Sequence, residues 1–173
     1  MCVGGAGVFT LRKAARVGYS TCLMAAIAYK LVRQRRNVAI YLPTDESAAL
    51  FNDRNVEGAL SVSPTFREGL AGSTTHKGNR KGYKKFAGGN QLYVRGGKAR
   101  GNYAEITVND VIYDEVDLFD RNIQGSGSPL TLGDGRTGVS FRAKSIRGST
   151  PHPKAGRSRR FSAAARACTR WQP

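Results

Sequence analysis

Five consecutive residues, Val111-Ile112-Tyr113-Asp114-Glu115, run from apolar and aromatic side chains straight into two carboxylates. A buried strand that ends this way can present both acids at a sheet edge, one to hold a metal ion and one to act on a water. The same residues also describe a strand ending in a solvated acidic turn, and short hydrophobic-plus-acid runs recur by chance. A basic counterpart lies upstream. Lys13-Ala14-Ala15-Arg16-Val17-Gly18-Tyr19-Ser20 has the length of the phosphate-binding pattern G-x-x-x-x-G-K-[ST]. Gly18 and Ser20 occupy their expected slots, whereas Lys13 stands in the first glycine slot and Tyr19 in the lysine slot. The chemistry survives if the ammonium approaches the phosphates from the front of the loop. Backbone N–H groups at a helix N-terminus and a hydroxyl for Mg²⁺ supply the rest. An ordinary basic helix start has the same residues.

The elements that must position these groups follow from local pattern. Thr21 to Lys30 is rich in helix formers and apolar on more than one face, and the helix continues through Leu31 and Val32. Arg33, Arg35 and Arg36 follow, where cations suit the helix dipole, and Asn37 ends it. Val38 to Leu42 reads as a buried strand broken by Pro43 and followed by Thr44-Asp45. Residues 8–45 therefore give strand, loop, long helix and strand, a β-α-β unit with a parallel sheet and a right-handed crossover.

With 173 residues the chain is about one domain and buries a real core. No run of apolar residues is long enough for a membrane helix, and the start lacks the plan of a signal peptide. Cys2, Cys22 and Cys168 match neither zinc spacing nor a disulfide framework, so a reducing cytoplasm is the default. The net charge of +16 is unevenly spread. Residues 76–100 hold His76, Lys77, Arg80, Lys81, Lys84, Lys85, Arg95, Lys98 and Arg100 with no acid, and 142–173 form a second acid-free basic stretch. Such patches attract polyanions, and Tyr83, Phe86 and Tyr93 interleave the first in a way that suits nucleic acid. A solvated basic face and a disordered tail fit the same composition.

The middle reads as a smaller antiparallel element inserted in the frame: Lys84-Lys85-Phe86, a turn at Ala87 to Asn90, then Gln91 to Arg95. Glu46 to Asn52 is a short helix. Val56 to Gly72 is turn-rich and carries no assigned element. Val116 to Asp120 is an amphipathic turn or short helix and Gly125 to Pro129 a loop; Ser145 to Pro151 reads as a short strand parallel to the Asp114 strand that could place the hydroxyls of Ser149 and Thr150 near a γ-phosphate, and a plain turn has the same residues.

In this order, the segments resemble a known family. Lys13 to Ser20, Tyr41 to Asp45, Gly96 to Ala99 with Asn102-Tyr103, Tyr113 to Glu115, Gly127 to Pro129, Leu132 to Asp134 and Lys144 to Pro151 together resemble the ATPase domain of the large terminase subunit of tailed, lambda-type bacteriophages. The resemblance implies an α/β fold of the P-loop (ASCE, RecA-like) class: a parallel sheet with flanking helices and an inserted basic hairpin, truncated. It implies ATP and Mg²⁺ as cofactors. Lys13 would contact phosphate as a displaced P-loop lysine, with Gly18 in the loop, and Ser20 would ligate Mg²⁺. Asp114 would hold the Mg²⁺ shell and Glu115 would activate the attacking water. Arg16 would stabilise developing charge, and Ser149 and Thr150 would couple hydrolysis to DNA movement. The implied partners are double-stranded DNA, a small terminase subunit, a portal and further copies of the chain, in the host cytoplasm.

Three departures shape the expected organisation. No nuclease domain is expected to follow. Met1 to Leu11 stands where the family has a segment that helps bind adenine. The tail loses its acids. Residues 1–153 are expected to form a partial ATPase domain, and 154–173 a disordered or frameshifted basic tail. The leading expectation is an ATP-driven DNA-packaging motor fragment. The alternative is a basic nucleic-acid-binding protein or an inactive prophage remnant without ATPase activity.

Overall fold

A computed structural model describes residues 7–14, 16–70, 79–138, 140 and 142–150. The described residues build a seven-stranded sheet from β1 (Gly7–Arg12), β2 (Val38–Leu42), β3 (Asn79–Arg80), β4 (Tyr83–Lys85), β5 (Gln91–Gly96), β6 (Asp110–Asp114) and β7 (Lys144–Ser149). In space the order is β1-β7-β6-β2-β5-β4-β3. The first five in that row run parallel, and β5-β4-β3 is an antiparallel meander. The basic hairpin thus extends the main sheet, because its strand β5 also pairs with β2.

The central strands β2 and β6 are buried at every position, as a parallel strand covered on both faces must be. On one face Ile40, Leu92 and Ile112 meet α1 (Tyr19–Val32), whose Leu23, Met24, Ile27 and Leu31 form its buried stripe. The opposite face buries Tyr41 between the rings of Tyr103 and Tyr113, at centroid distances of 4.4 and 5.7 Å. Ile106, Val108 and Ile123 pack around them, and α5 (Pro129–Asp134) is held to this face by Tyr113, whose hydroxyl donates to the Leu130 carbonyl.

The segment read as turn-rich is helical. After α2 (Asp45–Phe51), a π-helical turn at Asn52–Val56 leads into α3 (Glu57–Val62) and α4 (Pro64–Glu68). Two caps divide the run. The Thr44 hydroxyl accepts from the Ser47 N–H, and the Ser63 hydroxyl accepts from the Phe66 N–H with Pro64 opening α4.

The strand that carries the acids is anchored at its other end. Asp110 is fully buried and takes Arg36 Nε at 2.7 Å and Lys30 Nζ at 3.0 Å. Asn37 accepts from the Gln91 N–H through its side chain and from the Asp110 N–H through its carbonyl, which aligns the starts of β2, β5 and β6.

The basic segment is divided by its own strands. Lys84 points inward and bonds Glu57 at 2.6 Å, and Phe86 is buried against Phe66, so neither belongs to a nucleic-acid surface. That corrects the reading of Phe86 as an interleaved contact: Lys84 and Phe86 share the inward face of a period-two strand, while Tyr83 lies on the other. His76, Lys77, Pro151 and the tail 154–173 lie outside the described residues, as does Ala15 of the loop. Among the described residues no helix is long and apolar enough to cross a membrane.

Candidate nucleotide site

Because β7 lies between β1 and β6, the ends of three strands converge. Arg12 is in register with Ser149, and Gly148 with Asp114. The first residue after β1 is Lys13, whose N–H donates to the Ser149 carbonyl at 3.1 Å. Its side chain crosses over β7 to the acids: Nζ stands 2.7 Å from Asp114 Oδ1 and 3.0 Å from Glu115 Oε1. Lys13 and Asp114, 101 positions apart in sequence, are thus brought with Glu115 into one ion-paired cluster.

Asp114 is largely buried, and desolvation pushes its carboxyl above the ordinary aspartate range; the Lys13 hydrogen bond and charge oppose this, and the neighbouring Glu115 charge adds a smaller upward push. Glu115 holds a left-handed backbone, φ 56° and ψ 49°, uncommon for a residue with a side chain. That turn returns its carboxylate over the sheet edge. Oε2 accepts from the Thr150 N–H at 3.3 Å and Oε1 from the Thr150 hydroxyl at 3.4 Å. Ser149 is buried, and its hydroxyl accepts from the Asp117 N–H at 3.3 Å.

Lys13, Asp114, Glu115, Ser149 and Thr150 are therefore one constellation. The other sequence-selected residues stand beside it. Gly18 has φ 74°, the conformation for which glycine is suited, and leads directly into α1, whose second residue is Ser20. No acid lies in the first turn of α1 and no side chain caps it, so its leading N–H groups face the loop without a competing carboxylate. Arg16 is exposed, with φ 60°, and makes no ion pair among the described residues.

Tyr19 was not selected from sequence and is built into the site. Its ring lies under the Lys13 ammonium, 4.1 Å from Nζ to the centroid. Its hydroxyl is buried without a hydrogen-bond partner, against Gly148, where an added Cβ would lie 2.2 Å from the phenolic oxygen. Burial, then the charges of Asp114 and Glu115, raise its pKa, so the phenol stays neutral. The available signal was the mismatch itself: an aromatic ring in the lysine slot and a lysine in a glycine slot are partners in space.

The fold and the family are borne out by known proteins. The chain is similar to the crystal structure of the HK97 bacteriophage large terminase, with TM-score 0.70 at 14% identity over 95% of this chain and 34% of that one. It is also similar to the Thermus phage P74-26 large terminase ATPase domain, with TM-score 0.54 at 16% identity over 85% of this chain and 59% of that one. In sequence it is 42% identical over 141 residues to the terminase large subunit of Escherichia phage lambda, covering 80% of this chain and 22% of that protein. It is 38% identical over 157 residues to the terminase large subunit of Enterobacteria phage P21, covering 88% of this chain and 24% of that protein. The chain thus spans less than a quarter of the length of these curated relatives. Residues 8–171 match the family described as phage terminase large subunit gpA, ATPase domain, and the chain belongs to that family.

Proposed function

We propose that this domain binds and hydrolyses ATP as the motor part of a viral DNA-packaging machine. The observation that carries the reading is the Lys13 ammonium held between Asp114 and Glu115 at the joined ends of β1, β7 and β6. The loop and the first turn of α1 offer backbone N–H donors to phosphate oxygens, and Lys13 adds its charge from the front of the loop. Gly18 takes the positive φ of that turn without the strain a side chain would bring.

The oxygen donors suit Mg²⁺. Asp114 is a buried carboxylate already paired with the lysine ammonium at 2.7 Å, so the edge is built around positive charge. Asp114 and the Ser20 hydroxyl would hold the ion, which when bound would neutralise charge on the transferring phosphoryl group. Glu115 orients and deprotonates the attacking water, its carboxylate fixed by Thr150 and Lys13. Arg16, exposed at the loop, is free to meet charge that develops on the phosphate. Thr150 ties the end of β7 to the Glu115 carboxylate and Ser149 ties it to the Asp117 N–H in the turn that follows, so movement of Glu115 on hydrolysis would pull on β7, the coupling that a motor needs. Duplex DNA, a small terminase subunit, a portal and further copies of the chain, in the host cytoplasm, complete the proposed assembly.

The test is Mg²⁺-dependent nucleotide binding followed by calorimetry. Lys13→Ala and Asp114→Asn should abolish it, whereas Glu115→Gln should bind normally and lose turnover by about 10²–10⁴-fold. The alternative, a nucleic-acid-binding protein without ATP chemistry, would show salt-sensitive DNA binding indifferent to ATP and to all three substitutions.

A further inference from the structure

At the other side of the sheet, β5 is separated from β1 by three strands, and a cavity of about 620 Å³ opens beside it. None of its lining residues belongs to the nucleotide site. Arg80, Lys81 and Arg95 face it with Asp45 as the one acid of the lining. Asp45 is already engaged, accepting from Asn102 Nδ2 at 3.0 Å. The lining also holds the cross-strand pair Tyr83 and Tyr93, with ring centroids 5.4 Å apart and tilted by 53°. The Arg95 guanidinium lies 5.9 Å from the Tyr93 centroid, and its Nε is buried without a hydrogen-bond partner. Lys81 is held by Asp53 at 3.0 Å, but both side chains are more than half exposed, so that pair exchanges easily for another anion.

Cations beside half-buried aromatic rings in a concave site are what a nucleotide unit requires: charge for the phosphodiester and a π-face for the base. The volume lies within the range of about 300–1,000 Å³ usual for small-molecule sites. Bases in a duplex are stacked on each other and closed to such a pocket. We propose that this cavity takes one nucleotide of a single-stranded nucleic acid, with the phosphate at Arg80, Lys81 and Arg95 and the base against Tyr83 and Tyr93. The inference stands apart from the ATP site, since it needs neither Mg²⁺ nor Lys13.

Fluorescence anisotropy with labelled oligothymidylate, without Mg²⁺, tests it. The parent should bind single strands at least tenfold more tightly than a duplex of the same length. Tyr83→Leu should weaken single-strand binding about tenfold and leave duplex binding unchanged. Lys81→Ser and Arg95→Gln should each flatten the salt dependence by about 0.7 in the log–log slope. Tyr83→Leu and Lys81→Ser lie on the edge hairpin, and unchanged melting curves would show that it stays folded. Excess ATP should not compete with the oligonucleotide. Equal binding of single strand and duplex with Tyr83→Leu silent would overturn the proposal in favour of bare surface charge, as would equal competition by polyglutamate. Equal affinity for thymidine monophosphate and the oligomer would overturn the strand assignment in favour of a free nucleotide. Competition by ATP with Arg95→Gln silent would move the ligand to the ATP site.

Discussion

The ammonium of Lys13 lies over the face of the Tyr19 ring, 4.1 Å from its centroid, while pairing with Asp114 at 2.7 Å. The ring occupies the slot where the usual pattern has its lysine, and it supports the lysine that moved. Tyr19→Leu removes that support and should weaken nucleotide binding about tenfold, in line with a desolvated cation–π contact of about 1–2 kcal/mol. Tyr19→Phe keeps the ring and removes a buried hydroxyl that has no partner, so the free protein should be stabilised by about 1 kcal/mol. Titration calorimetry and thermal melting read the two effects separately.

Gly148→Ala tests the same packing from the other side. A Cβ there would lie 2.2 Å from the Tyr19 oxygen, and the loss should be about 1–3 kcal/mol. Combined with Tyr19→Leu, most of that loss should vanish. A double-mutant cycle that came out additive would show that the two residues do not press on each other.

Lys13→Met leaves Asp114 and Glu115 side by side with no cation between them. The free protein should lose about 3 kcal/mol, and millimolar Mg²⁺ alone should raise its melting temperature more than it raises that of the parent. An identical Mg²⁺ response in both proteins would count against a metal at these carboxylates.

Glu115 is held at φ 56°. Glycine adopts that conformation freely and alanine does not, so Glu115→Gly should be more stable than Glu115→Ala by about 1 kcal/mol, with both unable to hydrolyse ATP. Denaturant melts of the two variants measure the difference directly.

The two aspartates of β6 should behave oppositely. Asp110→Asn breaks the buried cluster with Arg36 and Lys30 and should cost about 3 kcal/mol of stability, with nucleotide affinity per folded molecule unchanged. Asp114→Asn should act chiefly on nucleotide binding.

The sequence made the centre of the sheet legible because burial on both faces leaves a continuous apolar run. Val38 to Leu42 is bounded in the structure as its composition demands. The pairing of Lys13 with Asp114 and Glu115 was legible only through motif order, since no local pattern reports a contact across so long a stretch of chain. The helices between Asn52 and Glu68 were obscured because each is short, yet Ser63-Pro64 is a cap followed by a first-turn proline and marked α4 in plain view. Phe86 was misplaced because a count of charges treats residues 76–100 as one surface, whereas a strand sends alternate residues inward. Tyr19 was missed because matching a pattern records a substituted slot as a loss and does not ask what the new side chain touches.

The order β1-β7-β6 has a consequence for how the molecule comes into being. Among the described residues β1 pairs only with β7, in a register that joins Gly7 to Lys144. During synthesis β1 leaves the ribosome long before β7, and among the described residues it finds no lateral partner until β7 has followed. The exposed Val8, Phe9 and Leu11 on that strand are sticky throughout the wait. β7 must then slot between two older strands, β1 and β6, which makes closure of the edge that carries Lys13 and Asp114 a late and slow event governed by long loops.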